Sequence, residues 1–307
     1  MASLKNIKLK ILSYKKTGTV THAMEAVSAV KMRKSQERAL STRAYAAAAL
    51  SILERLSSVA DLQKHYLFSE GSGTKVCFVV ITSDKGLAGA LNSGVLRLTE
   101  QEISRRGLSK ENVLIVAVGR RATEYFRSRG YNVVGSYINI SDDVSQQDAS
   151  DISNALVGLK EQNEIKECYL IYQNFISTFE QHPSVRQIIP IRSETIKQMV
   201  ANIRPARGKY APQPSETLAP APAAYTFEPD AEQVVSQLPQ ILLNIAVFHG
   251  LLENKASEHS ARMVAMKSAT DKAKDMTKSY TRIFNRVRQA AITREVSEIT
   301  SGIEAMH

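Results

Sequence analysis

Apolar and small side chains recur at Ile241, Ile245, Phe248, Leu252, Ala256, His259, Met263, Met266, Ala269, Ala273, Met276, Tyr280, Ile283, Val287 and Ala290, fourteen steps over 49 residues that average 3.5 per step. That period marks a coiled-coil seam, whereas a straight surface helix repeats at 3.6. No proline follows Pro239, so the spacing predicts one helix running to the end of the chain. A helix of about 65 residues is on the order of 100 Å long and has to protrude from a small domain roughly 30 Å across. Its stripe therefore needs a partner. The stretch from Ser3 to Leu67 offers one, with no proline, a single glycine at Gly18 and an Ala-rich middle at Ala39, Ala44 and Ala46 to Ala49. An antiparallel coiled coil follows if both helices leave one side of whatever lies between them.

What lies between reads as α/β. Val76 to Ile81, Val113 to Val118 and Cys168 to Tyr172 are short apolar runs of the kind buried in parallel sheets. Helical stretches around Leu91 to Arg105, Ala122 to Arg129 and Asp148 to Gln162 supply crossovers, giving a small, doubly wound, Rossmann-like domain. A Pro/Ala-rich piece, Arg204 to Ala224, reads as a linker. The predicted organisation is a helix over 1–67, an α/β domain over 68–203, a linker over 204–232 and a helix over 233–307. Beyond Ala290 the stripe changes phase to Ile292, Val296, Ile299 and Ile303, so the tail is expected either to fray or to enter a different apolar sleeve.

Composition sharpens this picture. With 43% apolar residues the 307-residue chain can pack a core, and the absence of Trp with only 6% aromatics suits long helices. The net charge of +10 is concentrated at the ends. Residues 1–66 carry 12 Lys/Arg against 4 Asp/Glu, and residues 233–307 carry 10 against 7. Basic clusters at Lys31, Arg33, Lys34 and Arg38, and from Lys267 through Lys272, Lys274, Lys278, Arg282 and Arg286 to Arg288, are either solvated helix faces or a surface for an acidic partner. Cys77 and Cys168 lie in predicted strands and read as structural thiols of a reducing compartment. No run approaches the ~18 apolar residues of a membrane span, so a soluble or peripheral protein is expected.

Candidate chemistry is sparse. The turn from Ser83 to Asn92 follows a strand and opens a helix, where nucleotide-binding folds cradle phosphate. It has neither G-x-G-x-x-G nor G-x-x-x-x-G-K-[ST] spacing, so a tight packing turn is favoured. No nucleophile elbow, H-E-x-x-H motif or Cys/His ligand cluster occurs, and His259 reads as a core or flanking histidine of the stripe. No catalytic residue, metal, cofactor or small-molecule ligand is expected.

Three segments resemble the gamma subunit of F-type ATP synthases: Ile11-Leu12-Ser13-Tyr14-Lys15-Lys16-Thr17 through Thr21-His22-Ala23-Met24 to Ser35-Gln36, the Ser83 to Asn92 turn, and Glu258-His259-Ser260-Ala261-Arg262-Met263 through Asn285-Arg286-Val287-Arg288-Gln289-Ala290 to Glu295. The resemblance implies a non-catalytic rotor shaft turning inside a ring of alpha and beta subunits, with its foot on the epsilon subunit and the membrane c-ring. It implies a peripheral position on the cytoplasmic face of a bacterial membrane, or on an organellar inner membrane. It also implies that Lys85, Arg288, Gln289, Thr293, Glu295 and Glu298 contact the catalytic ring, that Met24 and Arg262 tune coupling, and that the basic residues face acidic loops of the ring. Lys85 stands where the family commonly has arginine, Lys272 where it has asparagine, and Gly302-Ile303 where it has Gly-Ala. The rival readings are a basic coiled-coil scaffold or nucleic-acid-binding protein, and an α/β nucleotide enzyme resting on the Gly86 to Gly89 turn.

Overall fold

In a computed structural model the described residues are 4–41, 45–46, 48–49, 52, 65–192 and 231–305. The expected linker at 204–232 lies outside them except for its last two positions. The elements in chain order are α1 (Leu4–Ser41), β1 (Lys75–Ile81), α2 (Leu91–Arg105), β2 (Val113–Val118), α3 (Arg120–Ser128), β3 (Asn132–Tyr137), α4 (Gln146–Glu161), β4 (Ile165–Ser177), β5 (Glu180–Ile189) and α5 (Ala231–Glu304). Contacts divide the chain into two compact units, Ala29–Ala261 and Met1–Ser28 with Arg262–His307. Both long helices contribute to both units.

The first unit, the body, is built on a five-stranded sheet of order β3-β2-β1-β4-β5. The pairs of β1 with β2, β1 with β4 and β2 with β3 are parallel, and β5 joins β4 antiparallel. The pleat sends alternate side chains to opposite faces. Cys77, Val79, Ile81, Leu114, Val116, Leu170 and Tyr172 share a core with Ile152 and Leu156 of α4 and with Leu242, Leu243, Val247 and Leu251 of α5. On the other face Val76, Phe78, Val80, Ile115, Ala117 and Ile171 meet Val95 and Ile103 of α2 and Ala122 and Phe126 of α3. Burial on both faces is why β1 and β2 are unbroken apolar runs.

β3 and β5 were not among the predicted strands, and both are edges. Burial along β3 alternates between exposed and half-buried positions, so no apolar run marks it. β5 contains Pro183, which an edge strand tolerates because its outward side needs no donor. Two glycines are dictated by close approach. A Cβ on Gly119, at φ +90°, would lie 2.3 Å from the Thr82 carbonyl oxygen, and one on Gly250 would lie 2.7 Å from Leu170 Cδ2. Gly250 thus lets α5 lie close on the sheet. Ile245 and Phe248, half-buried, and Leu252 belong to this body core, where the sequence had placed them on a two-helix seam.

The second unit pairs the ends of α1 and α5. Tyr14 stacks on Tyr280 with centroids 5.4 Å apart, Gly18 faces Ala273, and the Thr21 and Thr270 hydroxyls are 2.7 Å apart. Partner numbers fall on α5 as they rise on α1, so the pair is antiparallel. The less exposed positions of α1, Ile7, Ile11, Tyr14, Gly18, Thr21, Glu25, Ser28, Met32, Ser35 and Ala39, alternate steps of four and three. On α5 the corresponding row is Met263, Met266, Thr270, Ala273, Thr277, Tyr280, Phe284, Val287 and Ala291.

That row departs from the predicted stripe by one residue at alternate positions. Thr270, Thr277, Phe284 and Ala291 take the places expected of Ala269, Met276, Ile283 and Ala290. Ile283 is 43% exposed, whereas Met263 and Met276 are half-buried and Met266 is buried. The threonines can sit inward because each hydroxyl donates to the carbonyl four residues back, Thr270 to Met266 at 2.8 Å and Thr277 to Ala273 at 2.8 Å. Hydropathy alone passes over such positions.

Candidate functional site

The residues singled out for partner contact fall in different environments. Arg288, Gln289, Thr293, Glu295 and Glu298 are all exposed on the last turns of α5. The Thr293 hydroxyl donates to the Gln289 carbonyl at 3.0 Å, which leaves the outer surface of these turns to charged and amide groups. Ile292, Val296, Ile299 and Ile303 are 51 to 63% exposed and form a second, apolar row on the same segment. Met24 is half-buried, and Arg262, the first residue of α5 in the paired-helix unit, is only 7% exposed. Lys85 is exposed and lies in the other unit.

The turn bearing Lys85 is held from within. Ser83 N–H donates to Asn92 Oδ1 at 2.9 Å, Asn92 Nδ2 donates to Ser83 Oγ at 2.7 Å, and Ser83 Oγ donates to the Lys85 carbonyl at 2.7 Å. Asp84 Oδ1 accepts the Arg120 N–H at 2.9 Å and ties the turn to the start of α3. Leu87 is held at φ +64° and is 62% exposed. A non-glycine residue in the left-handed region is held there only by its surroundings, so the turn presents Lys85 and Leu87 on a preset frame. Beside it an open groove is lined by Gly86, Leu87, Arg97, Arg121, Tyr125 and Arg129.

Electrostatics correct one expectation. Lys31, Lys34 and Arg38, expected to face a partner's acidic loops, pair with this chain's own loop between β3 and α4. Lys31 Nζ lies 2.5 Å from Asp142, Lys34 Nζ 3.2 Å from Asp143 and Arg38 Nη1 2.9 Å from Asp143. His259 Nε2 lies 3.2 Å and Lys255 Nζ 3.9 Å from Asp142 Oδ1. Burial pushes the Asp142 carboxyl up, but the Lys31 hydrogen bond and the charges of His259, Lys255 and Lys31 outweigh it and hold the carboxyl below its ordinary value. The signal was present in sequence as spacing: steps of three and four place Lys31, Lys34 and Arg38 on one face of α1. Arg33, off that face, is exposed, as are Lys267, Lys272, Lys274, Lys278, Arg282, Arg286 and Arg288. No group of three or more possible metal ligands occurs among the described residues.

Comparison with known proteins decides between the readings. The family profile described as ATP synthase matches residues 3–306. A chain of Pelotomaculum thermopropionicum named ATP synthase gamma chain is 36% identical over 306 residues, covering 100% of both chains. One of Heliobacterium modesticaldum with the same name is also 36% identical, again over 100% of both. This chain belongs to the ATP synthase gamma-chain family. The scaffold and nucleic-acid reading is not favoured. The same fold appears in the central stalk and c-ring structure of the Tetrahymena thermophila mitochondrial ATP synthase, with TM-score 0.59 and 23% identity over 81% of this chain and 99% of that one. It appears again in the Euglena gracilis mitochondrial ATP synthase in rotational state 3, with TM-score 0.65 and 16% identity over 99% of this chain and 94% of that one.

Within this gamma-family chain, a buried polar cluster between β4, β5 and α5 went unnoticed in sequence. Glu253 Oε2 accepts the Phe175 N–H at 2.8 Å, and burial raises its pKa to about 7 against the lowering effects of that bond and of Arg186. Burial, with Arg186 acting in the same direction, lowers the His249 pKa to about 3. No helix among the described residues is long and apolar enough to cross a membrane.

Proposed function

We propose that the chain is the central rotor shaft of an F-type ATP synthase, coupling ion-driven rotation of a membrane ring to ATP synthesis in a catalytic hexamer, and the reverse. The observation that carries this reading is the gamma-chain match over the whole length, together with an element order in which two long helices begin and end a chain with an α/β body between them in sequence. In this role the chain has no active site of its own. The exposed tail with Ile292, Val296, Ile299 and Ile303 lies in an apolar sleeve of the alpha and beta subunits, while Arg288, Gln289, Thr293, Glu295 and Glu298 make polar contacts there. Met24, half-buried, and Arg262, buried, belong to the paired-helix unit and set how firmly that pair holds its shape. Lys85 and Leu87 form a preset contact toward the catalytic ring, and the body grips the epsilon subunit and the c-ring on the cytoplasmic face of a bacterial membrane or an organellar inner membrane.

Each contact of a rotating shaft has to be weak, because preference for one angle by several kcal/mol would trap it there. Exposed ion pairs, at roughly 0–1 kcal/mol each, meet that need. Truncation of residues 291–307 tests the sleeve. Loss of assembly or of rotation-coupled synthesis is expected, and unchanged assembly with full coupling would contradict it.

A further inference from the structure

The chain passes between its two compact units twice, at residues 28/29 and 261/262. On the rotor reading, torque has to cross those points along α1 and α5. The packing nearby differs between the helices: the buried face of α1 carries small side chains at Ser28, Ser35 and Ala39 beside Met32, whereas α5 is already tied to the body by Ser257 Oγ, donating to the Gln173 carbonyl at 3.1 Å, and Ser260 Oγ, donating to the Thr178 carbonyl at 2.5 Å. Small side chains allow close approach but resist sliding or twisting of one helix past another only weakly, since few atoms interlock. The ion cluster on Asp142 and Asp143 sits within a few residues of both crossing points. It takes Lys31, Lys34 and Arg38 from one face of α1, and Lys255 and His259 from one face of α5.

We propose that Asp142 and Asp143 form a clamp that pins α1 and α5 to the α/β body where the two helices enter it, fixing their register so that torque passes without slip. The clamp rests on the rotor reading and assigns positioning residues to it. Two consecutive carboxylates in one loop meet basic side chains from two helices at five points, so rotation or translation of α1 breaks pairs that its small side chains would let slide, while Lys255 and His259 tie the same loop to α5, which its own hydrogen bonds hold on the sheet. The assembly combines a sheltered half and a solvated half. His259, with a side chain 3% exposed, has Nε2 3.2 Å from Asp142 Oδ1, whereas Lys34 and Asp143 are 62% and 44% exposed. Arg38 adds a directional bond, donating to the Val144 carbonyl at 3.3 Å.

The test uses the full chain assembled in its complex, in a single-molecule rotation assay that reads angular fluctuations at rest, alongside ions pumped per ATP. Assembly and ATP-driven rotation of the unaltered chain come first, and their failure overturns the rotor reading itself. With rotation established, the near-isosteric Asp142→Asn/Asp143→Asn variant should hydrolyse ATP at the normal rate but show broader angular fluctuations and fewer ions pumped per ATP. Asp142→Glu/Asp143→Glu, which restores charge and changes shape, should recover stiffness. Raising the salt shortens the screening length from about 10 Å at 0.1 M to about 3 Å at 1 M and should soften the unaltered rotor more than the Asn variant. Unchanged stiffness and coupling in the Asn variant, or equal salt responses, overturn the clamp while leaving the rotor reading standing. Should the double variant not assemble, Asp143→Asn alone and the salt series on the unaltered chain decide between the same outcomes.

Discussion

The body and the paired-helix unit are stabilised in opposite ways. In the body, Phe78, Val79, Leu114, Ile115 and Ile171 are fully buried between two layers of helices. In the paired-helix unit the inner row includes Gly18, Thr21, Thr270, Ala273 and Thr277, and few side chains are fully enclosed. Hydrophobic burial scales with area removed from water, so the body holds itself together, whereas a thin two-helix pair gains little from burial and depends on register. On the rotor reading, a turning shaft is well served by slim packing, and a part that must not deform is well served by a sheet covered on both faces.

The largest contrast should come from truncating cores. Phe78→Ala in the body is expected to cost about 3–5 kcal/mol, read from the urea midpoint of the full chain. A loss near 1 kcal/mol would mean that the two-faced core is not the source of stability. Next is the buried carboxyl. Glu253 has a folded pKa raised to about 7 from 4.5, so the neutral form is favoured on folding, and its stabilising effect is complete below 4.5 and lost as pH rises through 7. Glu253→Gln should therefore flatten that fall and exceed the unaltered chain at pH 8 by up to about 3 kcal/mol, at about 1.4 kcal/mol per pKa unit. Equal pH slopes for the two would show that Glu253 is not protonated in the body. His249 runs the other way: its pKa, lowered from 6.5 to about 3, makes stability fall as pH drops through that range.

The paired helices should respond more gently. Thr270→Val removes the hydroxyl bridge to Thr21 and is expected to cost about 1 kcal/mol, with a coupling of similar size in a double-mutant cycle with Thr21→Val. Additive effects would remove the bridge from the account. The smallest change is expected at the tip, where Ile299→Ala at a 63% exposed site should move chain stability by no more than about 0.5 kcal/mol. The same substitution should weaken assembly with the alpha and beta subunits.

This ordering also explains what could be read from sequence. β2 was legible to the residue, and β1 to within one residue at its start, because strands buried on both faces are continuous apolar runs, and α2 because its stretch opens out of the Ser83 turn and closes before Gly107. β3 and β5 were illegible because edge strands carry alternating, proline-tolerant patterns. The seam of α5 was found in period but displaced at alternate positions, since Thr270 and Thr277 bury hydroxyls that satisfy themselves on the helix backbone. The roles proposed for the tail residues from Arg288 to Glu298 rest on family resemblance, because a contact with another chain leaves no packing pattern of its own in this one. The Asp142–Asp143 cluster depends on a loop meeting two helices distant in sequence, and only the spacing of Lys31, Lys34 and Arg38 hinted at it.

The central claim is that this chain is a single shaft within a ring of other subunits. Native mass spectrometry of the full chain mixed with its cognate alpha and beta subunits, with ATP hydrolysis followed in parallel, tests it most directly. One copy per six-membered ring, with raised turnover, is the predicted result. A homodimer that ignores the ring would contradict the account and leave the paired helices as a scaffold.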